Sequence, residues 1–245
     1  ITNTIGKQWP KASISELVDK KTVSGIILDH DVSVVSLQGG TQPAEGILQL
    51  FLEERLPAYH EKHNEPEEEG TSGLSPYLHF GHISVYQVFH ELAEMEDWFF
   101  HRLSENTKGS KKGWWGMSAA AEAFLDELVT WRELGFNMCW QWSNYDRYVS
   151  LPQWSRSTLE AHALDERPYR YGLKDFQKAK THVPLWNAAQ MQLFKEGKIH
   201  NYLRMLWGKK ILEWSESPRD ALRILIELNN KYALDGRNPN SYSGI

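Results

Sequence analysis

"THVPLWNAAQMQLFKEGKIHNYLRMLWGKKILEW", from Thr181 to Trp214, reads as two packed helices separated by a glycine-containing break, Lys195-Glu196-Gly197-Lys198. Apolar residues recur at helical spacing on both sides of that break, from Pro184 to Phe194 and from Ile199 to Trp214. The stretch carries Trp186, Trp207 and Trp214, and the last two stand seven residues apart, nearly the same facing on one helix. Asn201 and Arg204 lie between the indoles. Three indoles so arranged serve as core, as an aromatic binding wall, or as a path for something that moves through indoles.

The same period extends outward in both directions. Thr41 is placed to cap a helix running to about Arg55, with Pro43 in its first turn. Helical periods follow from Pro76 to Glu94 and from Ala119 to Phe136, and Ser217-Pro218 opens a last helix that runs to about Tyr232. Between Cys139 and Tyr171 the chain is rich in Pro, Asp, Ser and aromatics, which predicts irregular segments with short helices. Residues 1–40 differ: a short helix candidate over 13–20, with Ser13 and Glu16 spaced as a capping box, is followed by β-branched runs at 23–28 and 32–37 and by Gly39-Gly40. The expected architecture is an all-α domain over 41–245 preceded by a short non-helical linker arm over 1–40.

Composition narrows the function classes. A charged fraction of 24% and a hydrophobic fraction of 41% are those of a globular chain with a sizeable core. No apolar run approaches the roughly 20 residues that span a bilayer, so no membrane partner is expected. The first residues, ITNTIGKQWPKAS, read as neither a signal nor a transit peptide. Cys139 is the single cysteine, so no internal disulfide forms, which favours a reducing, intracellular compartment. The net charge of −5 weighs mildly against nucleic acid, but much of the acid sits in one run, Glu65-Pro66-Glu67-Glu68-Glu69. Eleven tryptophans are more than packing alone needs.

Three further stretches carry chemistry. In GTSGLSPYLHFG, from Gly70 to Gly81, Thr71, Ser72 and Ser75 crowd hydroxyls into a turn, and Ser75-Pro76 reads as N-cap and first residue of a helix. Free amides at such a terminus suit a phosphate or pyrophosphate, and the alternative is a plainly well-capped helix. In FLDELVTWREL, Glu127 and Trp131 are spaced to share a face, a carboxylate and an indole that could grip a polar ring. The alternative is a solvated Glu beside a partly buried Trp, with Arg132 and Glu133 an ordinary surface pair. In IHNYLRMLW, Asn201 and Arg204 share a face; the apolar neighbours Leu203, Met205 and Leu206 favour a buried Arg204, whose anionic partner would be Asp235 in LDGRNPN. Histidine pairs at 60/63 and 79/82 lack an obvious third ligand, so no metal is expected. No P-loop, GxGxxG, GxSxG or HExxH pattern occurs.

Taken together, TSGLSPYLHFG, ELVTWREL, THVPLWNAAQ, HNYLRMLWGKKILEW and YALDGRNPNSYSGI resemble, in order, the FAD-binding catalytic domain of the DNA photolyase/cryptochrome superfamily, and most closely class II cyclobutane pyrimidine dimer photolyases. The resemblance spans about Gly46 to Ile245. It implies FAD held by Tyr59, Thr71, Ser72, Gly73, Leu74, Ser75 and Asn201, with Arg204 and Asp235 as an ion pair beside the isoalloxazine. Asn229, or alternatively Asn240, matches the asparagine near flavin N5. Trp207, Trp186 and Trp214 match an electron relay that reduces the flavin. Glu127 matches the acid that hydrogen-bonds the lesion, and Trp131 one of two tryptophans that grip it; the second would follow Ile245. UV-damaged DNA is the implied partner, its phosphates met by Lys108, Lys111, Lys112 and Arg132, and the implied reaction is light-driven splitting of the dimer by an electron from reduced FAD. A monomer in cytoplasm or nucleus, without the family's antenna domain and incomplete at the C-terminus, is expected. A cryptochrome-like photoreceptor without repair activity is the alternative, against which the presence of Glu127 and Trp131 speaks.

Overall fold

A computed structural model describes residues 13–15, 27, 29, 31–105 and 112–245. The chain divides into two units, Ile1–Val34 and Val35–Ile245. The expected helix at 13–20 and the run at 23–28 lie outside the described residues apart from positions 13–15 and 27. Residues 32–37 adopt no regular structure.

Within the second unit, Gly40 sets where helical structure begins. Its φ of 112° is one that L side chains rarely adopt, so the turn into the helix falls on the glycine. Thr41 is therefore the first helical residue of α1 (Thr41–Leu50), not the side-chain cap. The helix does reach Arg55, but its last turn, Phe51–Arg55, is π-helical. A 3₁₀ turn, Leu56–Ala58, then leads into α2 (Tyr59–Lys62). The period expected to run from Pro76 to Glu94 is broken into α3 (Ser75–His79) and α4 (Val85–Met95). Gly81 at φ 69° turns the chain there, and the Ser84 hydroxyl caps α4 by accepting from the Gln87 amide.

The next helix is continuous but changes pitch: α5 (Ala119–Leu125), a π-helical segment Asp126–Trp131, then α6 (Arg132–Gln141). After α7 (Gln153–Ala161) and α8 (Leu173–Gln177) come the two helices of the tryptophan stretch, α9 (Pro184–Glu196) and α10 (Asn201–Trp214). Gly197 ends α9 in the left-handed conformation, φ 69°, and a Cβ there would sit 2.6 Å from Leu234 Cγ, so both conformation and space call for glycine. Ser217 caps and Pro218 opens α11 (Pro218–Tyr232), as expected, and α12 (Pro239–Gly244) follows. The described residues contain no strand; the fold is all-α.

A buried apolar cluster positions the first half of the fold. It gathers Leu48 and Phe51 from α1 and its π-helical last turn, Leu74 before α3, Leu92 of α4, and Phe124 and Leu125 of α5. Farther along the chain, Phe176, Leu193 of α9, Ile211 of α10, and Ile224 and Leu228 of α11 are also buried. Each such side chain contributes about 1.5–3 kcal/mol by leaving water. Leu225 of α11 packs over Gly208 of α10, where a Cβ would meet Leu225 Cδ2 at 3.4 Å, close to an ordinary contact.

Gly135 in α6 is packed more tightly by α12: a Cβ there would lie 2.9 Å from the Asn240 Cα and backbone N. Backbone cannot swing aside as a side chain can. Gly135→Ala is accordingly expected to cost about 1–3 kcal/mol in chemical denaturation, by prising α12 away from α6. An unchanged unfolding midpoint would mean that the two helices do not press together.

Candidate functional site

Three segments remote in sequence meet at Asp235. Arg204 of α10 donates to both carboxylate oxygens, Nη2 to Oδ1 at 2.7 Å and Nη1 to Oδ2 at 3.3 Å. The Ser75 hydroxyl, at the start of α3, donates to Oδ2 at 2.9 Å. The pair is largely shielded, with 24% of the Arg204 and 20% of the Asp235 side chain exposed. Burial alone would push the Asp235 carboxyl up; the Arg204 charge, its hydrogen bonds and the Ser75 hydroxyl outweigh it and hold the group below the ordinary carboxylate value. The anionic partner expected for Arg204 is thus the one it has. Of the apolar neighbours expected to bury it, Met205 and Leu206 are themselves 48% and 41% exposed.

Asn229 of α11 is 2% exposed, and its Nδ2 is buried without an acceptor, as is Arg204 Nε. Gly236 is pressed onto the Asn229 carbonyl, where a Cβ would come within 2.6 Å. Asn240 differs: it is exposed on α12, and its amide serves the Asn238 cap. Asn201 is exposed at the start of α10, one turn before Arg204, and His200 caps that helix.

The turn before α3 departs from its expected form. Ser75 is the first helical residue rather than the cap; the cap position is Leu74, without a side-chain bond, because the Ser75 hydroxyl is turned to Asp235. Ser72 Oγ instead accepts from the Leu74 amide, and Gly73, at φ 71°, makes the turn. Arg55, which its sequence position did not single out, donates to the Thr71 carbonyl at 3.3 Å and pairs with Glu69 at 2.9 Å. It sets a cation beside the hydroxyl-rich turn. The nearby Tyr59 is buried, edge-on to Phe51 and Phe124 and stacked on His63. Burial, and then the Glu127 charge, push its phenol pKa up, so the hydroxyl stays protonated.

Glu127 and Trp131 both fall in the π-helical segment and are both exposed, Trp131 by 43%. A π turn widens the backbone and re-aims side chains, and such turns are frequent at functional sites. Arg132 lies 4.5 Å over the Phe136 ring and 3.6 Å from Glu133. Lys112 is exposed, while Lys108 and Lys111 lie outside the described residues.

The three indoles form one buried line, in an order that the sequence does not show. Trp186, on α9, stands between the two tryptophans of α10: its ring centroid is 6.3 Å from that of Trp207, planes within 3°, and 6.2 Å from that of Trp214, at 65°. All three are 3–4% exposed. Two ring contacts through Trp186 thus link the tryptophans that stand seven residues apart on α10. Trp186 Nε1 donates to the Trp207 carbonyl at 3.1 Å, and Trp207 Nε1 to Gln190 Oε1 at 2.9 Å. Gln190 is fully buried, and its Nε2 has no partner. Its place four residues after Trp186 was the only sequence signal for it. No group of three His, Cys, Asp or Glu among the described residues could hold a metal ion, and no helix among them is long and apolar enough to cross a membrane.

This fold is shared with photolyases. A bacterial class III photolyase from Agrobacterium tumefaciens superposes over 84% of this chain and 37% of its own, with a TM-score of 0.59 at 20% identity. Sequence relatives carry a more particular name. The deoxyribodipyrimidine photo-lyase of Potorous tridactylus is 40% identical over 90% of this chain, and that of Methanothermobacter thermautotrophicus 37% identical over 88%. The chain spans 38% and 43% of their respective lengths. No family model matches it.

Proposed function

We propose that this chain is the flavin-binding, catalytic part of a class II cyclobutane pyrimidine dimer photolyase, which repairs UV-damaged DNA with light. The observation that carries this reading is the buried indole line, whose inner member, Trp207, sits one turn beyond Arg204 on the helix that bears the ion pair. The named relatives add support at the level of the whole chain.

The polar groups around Asp235 suit FAD. Asn229 Nδ2 and Arg204 Nε are buried donors without acceptors, and a donor in that state needs an acceptor at its face. Arg204, Asp235 and Asn229 would hold the ring system, with Asn229 rather than exposed Asn240 near N5. Thr71, Ser72 and Ser75, with Arg55 behind them, would hold ribityl and pyrophosphate. When bound and reduced, FAD supplies on excitation the electron that opens the cyclobutane ring, and takes it back afterwards. The chain's own residues do the rest. Trp207, Trp186 and Trp214 carry electrons between the surface and the site. Glu127 accepts from the flipped pyrimidines, Trp131 stacks on them, and Arg132 with Lys112 meets DNA phosphates.

An absorption spectrum of the purified protein tests the cofactor directly, since a colourless preparation that takes up no FAD defeats the proposal. Glu127→Ala tests the lesion contact. Loss of a charged hydrogen-bonding partner should cost about 1.5–3 kcal/mol of lesion binding, read as weakened binding of dimer-containing DNA and lower repair yield with the flavin spectrum unchanged. Equal yields in the two proteins would remove Glu127 from the lesion site, and absent repair in a FAD-loaded wild type would favour a photoreceptor.

A further inference from the structure

A cavity lies beside Trp214, the end of the indole line, which is itself 3% exposed. Its volume is about 470 Å³, within the range of small-molecule sites. It lies between the loop from Asp165 to Tyr169 and the C-terminal end of α10, and Trp214 itself lines it. Its aromatic wall is continuous: Tyr169 stacks on His182 with centroids 3.7 Å apart and planes within 14°, and the His182 centroid is 4.8 Å from that of Trp214. Leu159, Leu212 and Pro218 complete the apolar lining.

Its lining carries three acids against one arginine. Asp165, Glu166 and Glu213 all line the cavity. Among the cations, Arg167 is committed to the end of α10, where Nη1 donates to the carbonyls of Leu212, Glu213 and Ser215 at 2.6–3.1 Å. Lys210, 5.5 Å over the Trp214 ring, pairs with Glu213 at 2.6 Å, and His162 pairs with Asp165 at 2.8 Å.

We infer that this cavity docks the small reductant that refills the relay, and that it selects neutral or cationic single-ring aromatic reductants over anionic ones. The inference rests on the proposed relay. Withdrawal of one electron from Trp207 by the photoexcited, oxidised cofactor leaves, after two hops, a one-electron hole on Trp214. A phenolic reductant stacked in the cavity gives one electron to that hole and releases its hydroxyl proton to solvent. Trp214 returns to its closed-shell state, and the charge separation becomes permanent. A flat ring matches the aromatic wall, and the acids keep an anion such as ascorbate at a distance.

Hydroquinone is the probe. In FAD-loaded protein, the decay of the tryptophan radical is followed by transient absorption against hydroquinone concentration. Saturation is expected in the wild type and a linear, slower dependence in Leu159→Phe, whose bulkier ring narrows the cavity. In Glu166→Lys the bimolecular rate with ascorbate should rise about tenfold at low ionic strength and fall back near 1 M salt, where the Debye length is about 3 Å. Independently of light and cofactor, saturation-transfer NMR in the dark should show hydroquinone bound to the wild type and not to Leu159→Phe. Linear decay in the wild type, saturation retained in Leu159→Phe, or no saturation transfer would overturn the docking site. If hydroquinone binds but no tryptophan radical forms, the relay itself fails and the cavity's role with it, a result distinct from a relay that works without docking.

Discussion

Under the proposed relay, Trp186→Phe is expected to abolish light-driven reduction of added FAD while leaving FAD binding intact. Phenylalanine fills most of the indole's volume but is much harder to oxidise, so the hole can no longer pass through position 186. The two tryptophans that remain are seven residues apart on α10, about 10 Å along its axis, instead of being linked by ring contacts of 6.3 and 6.2 Å. The hole on Trp207 then returns to the flavin before it can travel outward. The structural cost is modest: one buried hydrogen bond, from the indole N–H to the Trp207 carbonyl, is lost, worth about 0.5–1.5 kcal/mol. Chemical reduction should restore whatever repair the unmutated protein shows, which separates a broken relay from a damaged site. Photoreduction at the wild-type rate would take Trp186 out of the path.

That prediction depends on an arrangement that the sequence holds only in part. The spacing of Trp207 and Trp214 along one helix is legible from the 3.6-residue period, but Trp186 belongs to another helix. Its insertion between them is set by how α9 and α10 pack, which no spacing records. The Arg204–Asp235 pair was legible because a shielded guanidinium needs an anion and LDGRNPN offers one. That Ser75 would turn to the same carboxylate was not. Local preference makes a Ser before Pro a helix cap, and here a charge-assisted bond to a residue 160 positions away prevails over the cap. The π turns at Phe51–Arg55 and Asp126–Trp131 were hidden for a related reason: one extra residue in a turn leaves an apolar pattern that still resembles an ordinary helix. Arg55 and Gln190 were missed because their partners, the Thr71 carbonyl and the Trp207 indole, are tertiary neighbours.

Asp235→Asn should be the most destabilising of the conservative changes at the site, and it should also release the flavin. Asparagine keeps the shape but removes the charge, and its amide N–H₂ faces a guanidinium or hydroxyl that was donating. Arg204 is then left as a shielded cation without an anion. Removing one partner of a fully buried pair costs about 3–5 kcal/mol; with roughly a fifth to a quarter of each side chain exposed, about 2–3 kcal/mol is the expectation. Arg204→Lys should not be neutral either, since a single ammonium cannot span both carboxylate oxygens as the guanidinium does. Ser75→Ala removes only one donor and should cost about 1 kcal/mol. The pH dependence has a definite sign. Because the folded-state pKa of Asp235 is held below the ordinary value, its contribution is fully present above the unfolded-state pKa, near 3.9. It is lost as the pH falls below that value and through the folded pKa. Denaturant unfolding followed from neutral to acid pH should therefore show the wild type losing its advantage over Asp235→Asn in that acid window, the two curves converging at its lower end. Parallel curves across the whole range, or equal stability at pH 7, would show that the Arg204–Asp235 pair does not secure the junction of α3, α10 and the loop after α11.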